Sequence, residues 1–416
     1  MTIFETDCQT ESLMRSLKTL VLVASLMYPL IADGQDPEPF SAGGRDQDSA
    51  LISGPVSDSV LTLLFAGDIM GHDGQIASAL DDSTGIYSYD SVFKYISPFV
   101  SGADIAIGNL EVTLGGPPYK GYPAFSSPDA LAAACRNAGF DILVTANNHS
   151  ADRGTKGIAR TIRMLDSLEI RHTGTWISGE ARDSLLPLMI CHDSMKIALL
   201  SYTYGTNGIV VPPPAIVSYI DTVRAAAEIS SSLDAGADRT IIFIHWGTEY
   251  DTLPDLQQKK TASALLRSGA DIIIGSHPHV LQPMIAESDS CGFRNPVVWS
   301  MGNFVSNQRT RRRDGGAMIR VDLQVKGDTT VISDAGYVLT WVYTPTEEGK
   351  RKFYILPCAT FENTPEFFQT SSQYEEMMVF IRDARRLLDS LNRGFTEMTF
   401  SGGNWVRVPR QNVSVN

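Results

Sequence analysis

The sequence predicts an α/β layered fold, and three observations carry that reading. Short runs rich in β-branched residues recur at 61–67, 105–107, 142–145, 197–201, 241–244, 272–274 and 297–300, bounded by Gly or Asp, as buried strands are. Segments with helical spacing lie between them. Ser127 and Pro128 open one that Gly139 stops; Ile158, Ile162, Leu165 and Leu168 mark one face of a second; Ala262, Leu265 and Leu266 begin a third, closed by Gly269. The two periods alternate instead of forming blocks, which favours strands and helices in layers over separate all-α and all-β parts.

The rest of the chain frames this domain. Arg15 and Lys18 precede an apolar run from Leu20 to Ala32, too short for a comfortable membrane span and followed by small residues. Residues 1–34 therefore read as a targeting segment, a signal peptide or an uncleaved anchor, with Met14 as the start. The protein is expected to be exported, periplasmic or extracellular. Residues 35–58, rich in Gly, Ser, Asp and Pro, read as a linker. The domain is expected over 59–345, with a C-terminal extension over 346–416 that carries strands and a helix from about Tyr374 to Leu391. Cys135, Cys191, Cys291 and Cys358 are scattered without a C-x-x-C pair, so neither zinc-ribbon nor redox chemistry is suggested, and the sequence pairs none of them. A formal charge of −13 argues against nucleic acid, which needs a basic face for counterion release. It also means that an anionic substrate must be drawn in locally.

The chemistry sits where strands end. Open α/β sheets build their sites at the C-terminal edges of their strands. Here those edges carry Gly67-Asp68-Ile69-Met70-Gly71-His72, Asn109-Leu110-Glu111, Asn147-Asn148-His149, His245-Trp246-Gly247, Gly275-Ser276-His277-Pro278-His279 and Met301-Gly302-Asn303-Phe304. Any one of these is weak, since an Asp after a strand is usually a turn residue. Five of seven histidines at strand ends are not. Imidazole, carboxylate and amide oxygen together suit divalent Mn, Fe or Zn.

In this order the motifs resemble those of the calcineurin-like metallophosphoesterase superfamily. The closer resemblance is to the CapA family of poly-γ-glutamate capsule-biosynthesis proteins. It extends through Asn147-Asn148-His149-Ser150-Ala151-Asp152-Arg153-Gly154, His245-Trp246-Gly247-Thr248-Glu249-Tyr250 and Gly275 to Pro283, and covers about residues 60–345. The resemblance implies a four-layer αββα sandwich of the metallo-dependent phosphatase type, holding two divalent ions. Asp68 and His279 would serve the first ion, Asn148, His245 and His277 the second, with Glu111 bridging. His149 would be the general acid, polarised by Asp152. Two departures stand out. His72 lies four residues after Asp68 instead of two, and is carried as a further candidate ligand. Glu111 replaces the superfamily's Asp, so the count of two ions rests on a longer side chain bridging.

Asn109, Trp246, Glu249 and Asn303 are candidates for substrate contact; for Trp246 and Tyr250 the alternative is covering the core, and for Asn303 a turn. Arg309 and Arg311 to Arg313 form the one dense basic cluster, read as a solvated loop face with an anion-facing role as the alternative. The functional expectation is a cell-envelope metal-dependent hydrolase acting on an anionic capsule polymer or phosphoester, working with capsule synthesis or export machinery at the membrane. A polymer-binding or export scaffold that keeps the fold is the second reading, and a nucleotidase-like phosphatase the third.

Overall fold

The structure, a computed structural model, describes residues 59–289 and 292–409. The expected targeting segment and linker lie outside the described residues. The described residues fall in two units: residue 59 with 191–194, and residues 60–190 with 195–409. All elements below belong to the second unit.

The strands used here are β1 (Val60–Ile69), β2 (Ile105–Leu110), β3 (Ile142–Val144), β4 (Arg171–Thr173), β5 (Met195–Thr203), β6 (Arg239–His245), β7 (Ile272–Ser276), β8 (Met284–Asp289), β9 (Gly292–Val298), β10 (Asn303–Val305), β11 (Gly315–Lys326), β12 (Thr329–Tyr343), β13 (Tyr354–Pro357) and β14 (Thr396–Ser401). The helices are α1 (Asp73–Ala79), α2 (Ala130–Ala138), α3 (Gly154–Ser167), α4 (Thr222–Asp234), α5 (Leu256–Arg267) and α6 (Ser371–Leu391). α2 starts two residues later than Ser127 and Pro128 suggest, because those residues form the preceding turn, with Leu131 N–H bonded to Pro128 O at 3.0 Å.

β1 to β4 form one parallel half, and β5, β6, β7 and β9 a second. The long antiparallel pair β11–β12 joins them, β11 to β1 and β12 to β9, so a single hydrogen-bonded path runs through both halves. Layering follows from the period of two along each strand. Leu61, Leu63 and Phe65 of β1 face a central core shared with Leu199, Phe243 and Ile274 of the other half. Leu64 and Ala66 point the opposite way, onto Leu131 and Cys135 of α2 and Leu165 of α3. On the second half, Leu200, Ile242 and Ile273 turn outward onto Ala225 and Ile229 of α4 and Ala262 and Leu265 of α5. Helix, sheet half, sheet half and helix stack in that order, which makes the fold a four-layer α/β sandwich.

The C-terminal segment packs into the same core. β13 pairs antiparallel and β14 parallel with β12. Met377, Phe380, Ile381, Ala384 and Leu388 of α6 recur at helical spacing and join the central cluster. Thr370 caps this helix, its hydroxyl accepting from Gln373 N–H. Cys135 and Cys358 are buried free thiols and Cys191 is disulfide-bonded. No described helix is long and apolar enough to cross a membrane.

Phe380 is 2% exposed within that cluster. Phe380→Ala is expected to lower stability by about 3–5 kcal/mol in denaturant unfolding. A loss below ~1 kcal/mol would show that the tail is an appendage the core does not need.

Candidate metal centre

The C-terminal edges of both sheet halves converge on one buried cluster. Asp68 is the last residue but one of β1, Glu111 follows β2, Asn147 to His149 follow β3, His245 ends β6, and His277 and His279 follow β7. Asn303 opens β10, which pairs parallel with β1 so that Asp68 and Asn303 are direct neighbours. The approach of β1 to that segment requires glycine at 67, where a Cβ would run into the Gly302 carbonyl oxygen. His277 and His279 have φ of 101° and 58°, a region that costs a non-glycine residue about 1–3 kcal/mol and persists where surrounding structure enforces it.

Glu111 occupies the middle. It is fully buried, and neither carboxylate oxygen has a hydrogen-bond partner. His245 Nε2 lies 3.5 Å and His279 Nε2 3.8 Å from its Oε1. Among the described residues, two groups of side chains could hold a metal ion: Glu111 with His277 and His279, and Asp68 with Glu111 and His245. Glu111 is common to both. The partition differs from the one the resemblance implies, which sets Asp68 with His279 and His245 with His277. Asn148 joins through Oδ1, 3.0 Å from His245 Nε2.

Other side chains fix these donors. Asn109 donates from Nδ2 to Asp68 Oδ1 at 2.8 Å and receives Asn147 Nδ2 on its own Oδ1 at 3.1 Å, so it braces the cluster from beneath. Ser276 Oγ lies 2.9 Å from His245 Nδ1, leaving Nε2 to face Glu111. His279 Nδ1 lies 3.1 Å from both Asp68 Oδ2 and Asn303 Oδ1, two acceptors that favour a proton on Nδ1. His149 Nδ1 is 2.8 Å from Asp152 Oδ2, which also accepts the Phe125 N–H at 2.6 Å.

Burial governs the protonation of the cluster. It pushes the Glu111 carboxyl well above the usual range, with Asp68 adding to the effect. Burial and the neighbouring imidazoles hold His245 well below the usual imidazole range and His277 at about 3. Neutral imidazoles are the ligating form, and a buried carboxylate without partners is costly unless a cation compensates it. The unpartnered Glu111 oxygens and the unpartnered Nδ1 of His277 therefore fit a divalent ion.

The ligand candidate His72 and the substrate-contact candidates Trp246, Glu249 and Asn303 lie outside the two ligand groups. His72 N-caps α1: Met70 and Gly71 carry it past the end of β1, and its Nδ1 lies 3.2 Å from Gln75 Oε1 and 3.3 Å from Asn307 N. Trp246 is buried against Trp299, its indole N–H donating to Trp299 O at 3.0 Å, and lines the outer core, not a groove. Glu249 is exposed at the rim. Asn303 is fully buried beneath His279. Sequence reasoning missed Tyr204, whose ring lies 4.5 Å from that of His277. Its signal was the end of β5, which runs two residues beyond the apolar stretch to Thr203. It also missed Phe125, edge-on to both His149 and His72.

Glu111→Gln keeps the shape and removes the buried charge. Because the folded carboxyl is raised, its ionised form destabilises the metal-free protein at neutral pH, and that penalty fades as pH falls through the folded value. In chelator at pH 7.5 the variant is expected to melt above wild type, and with Mn or Zn added, below it. An unchanged order under the two conditions would remove Glu111 from any ion-binding role.

Comparison with known proteins gives this geometry a family. The family model described as bacterial capsule synthesis protein PGA_cap matches residues 62–308, more than half of the chain. The capsule biosynthesis protein CapA of Bacillus anthracis is 29% identical over 281 residues, 64% of this chain and 65% of that protein. The PGA biosynthesis protein CapA of Bacillus subtilis (strain 168) is 29% identical over 291 residues, 65% of this chain and 70% of that protein. The match thus spans just under two thirds of the first relative's length. Among solved structures, the NAD nucleotidase of Haemophilus influenzae aligns over 83% of this chain and 65% of its own, at 13% identity and a TM-score of 0.43. On the family match, which runs from β1 through the strand-end motifs to the loop after β10, the chain belongs to the bacterial capsule synthesis protein PGA_cap family.

Proposed function

We propose that this chain is a metal-dependent hydrolase of the cell envelope that cleaves an anionic capsule polymer of the poly-γ-glutamate type. The observation that carries the reading is Glu111, a buried carboxylate with two unpartnered oxygens among three imidazoles and Asp68. Asp68, Glu111, Asn148, His245, His277 and His279 would hold two divalent ions, of Mn, Fe or Zn. Bound there, such ions supply Lewis-acid polarisation and neutralise charge on an anionic substrate. The names of the two CapA relatives, capsule biosynthesis and PGA biosynthesis, support a polymer of that kind; an envelope location and capsule synthesis or export machinery as partner are part of the same proposal.

The chain's own proton chemistry centres on His149. Asp152 holds its Nδ1, so Nε2 is the nitrogen free to give a proton to a leaving group. Phe125 sits edge-on to the ring at 4.6 Å and limits its rotation. Tyr204 and Tyr250, each partly exposed, stand beside His277 and His279 and would wall the approach of a chain-like substrate. Hydrolysis of an amide link consumes one water: its oxygen ends on the acyl carbon, and the leaving nitrogen takes a proton from His149, which the water restores.

Metal content and turnover test this together. Purified protein is expected to hold divalent ions at micromolar free metal and to shorten poly-γ-glutamate. His149→Ala should keep the metal and lose about 10²–10⁴-fold in kcat. Protein that binds no divalent ion would sink the hydrolase reading and leave a polymer-binding scaffold; equal rates for the variant and wild type would remove His149 from the chemistry.

A further inference from the structure

Of the basic cluster that follows the last strand-end motif, three members are committed elsewhere. Arg311 makes a two-pronged pair with Asp383 of α6 at 2.5 and 2.7 Å. Arg312 Nε lies 3.5 Å from the same carboxylate. Arg309 is packed over Trp341, with Asp314 as its charged neighbour. Arg313 differs. Among the described residues no carboxylate lies within ion-pair distance of it, and its guanidinium rests on the Tyr250 ring, 3.3 Å from the centroid.

Two connections fix Arg313 relative to the metal-ligand candidates. Tyr250 donates its backbone N–H to Pro278 O at 2.8 Å, between His277 and His279, and its ring lies 6.2 Å from that of His279. Asn303 Nδ2 donates to Arg313 O at 2.7 Å while Asn303 Oδ1 faces His279 Nδ1. Ring and loop are thus both tied to the His277–His279 turn. A guanidinium held flat on an aromatic face keeps its in-plane N–H edge free for a carboxylate or phosphate.

We infer that Arg313, carried on Tyr250, is the anion-recognition group of this site and selects a substrate bearing a carboxylate next to the reacting bond. The inference rests on the polymer reading above. In poly-γ-glutamate each amide link is flanked by a free α-carboxylate, a planar two-oxygen partner that matches the guanidinium fork. With −13 on the whole chain, long-range attraction of a polyanion is absent and recognition must come from a local cation. Glu249, exposed beside Tyr250, works against it from the same rim.

The test is binding to metal-loaded full chain, by calorimetry, of two decamers of equal length: γ-linked glutamate and its counterpart in which every α-carboxylate is a neutral carboxamide (γ-linked isoglutamine). Wild type is expected to prefer the acidic decamer. Arg313→Ala should weaken that ligand about ten- to a hundredfold, leave the neutral one unchanged, and retain wild-type metal content and melting temperature. Arg313→Lys, a point charge without the fork, should recover part of the loss, and serves in place of Ala should that variant fold poorly. Equal loss of both decamers, or no loss of either, overturns the role of Arg313 while polymer binding stands. A wild type that does not discriminate between the decamers overturns both readings.

Discussion

The constraint on which the rest of the structure depends is a carboxylate at the seam between two sheet halves with no hydrogen bond to either oxygen. Glu111 is fully buried, and burying a charge without a partner costs several kcal/mol after relaxation. Polar networks around it could have satisfied it. Asn109, Asn147 and Ser276, buried in the same cluster, are spent on Asp68, on the Leu110 carbonyl and on His245. The protein therefore orients its neutral polar groups toward the neighbours of Glu111 and leaves Glu111 itself facing imidazoles. That is the arrangement expected of a cation site and a poor one for a structural core.

Keeping such a site open requires rigid surroundings, and the sandwich supplies them. The central core of Phe65, Phe243 and Ile274 fixes the two halves back to back, so their strand ends meet without a mobile connection. Close backbone approach does the final alignment. A Cβ at Gly275 would meet the Trp299 carbonyl, as one at Gly67 would meet that of Gly302. The turn that carries His277 and His279 holds both in left-handed backbone conformations. α6, from the far end of the chain, closes the same core, and its Asp383 pins Arg311 in the loop that ends at Arg313.

Much of this was legible in the sequence, and for physical reasons. Strand runs were visible because both faces of each parallel half are buried, which leaves near-continuous apolar stretches. The cluster around Glu111 was legible because a parallel sheet sends every strand's C-terminal end to one edge. What sequence could not give was orientation. His72 carries the right chemistry at a strand end, but two extra residues move it onto a helix cap. Trp246 directly follows His245 and points the other way, since neighbours in an extended segment face opposite sides. Arg313 could not be told from Arg311 and Arg312 by composition; only the position of Asp383, seventy residues later, and of Tyr250 separates them.

The charges of the site link metal and substrate. With His245 and His277 neutral, the carboxylates of Asp68 and Asp152 leave the ion-free cavity net negative, and Arg313 offsets only part of that. An anionic polymer meets repulsion there, from the cavity and from the chain as a whole. Divalent ions held by the candidate ligands would reverse the sign, after which Arg313 and the ions would act on the proposed substrate in the same direction. By linkage the coupling must be reciprocal: whatever affinity the ions add for the polymer, the polymer adds for the ions. On the proposed reading an acidic protein would take an acidic substrate without a basic surface, because attraction would be confined to the metal-loaded cavity, and substrate binding itself would help retain the ions.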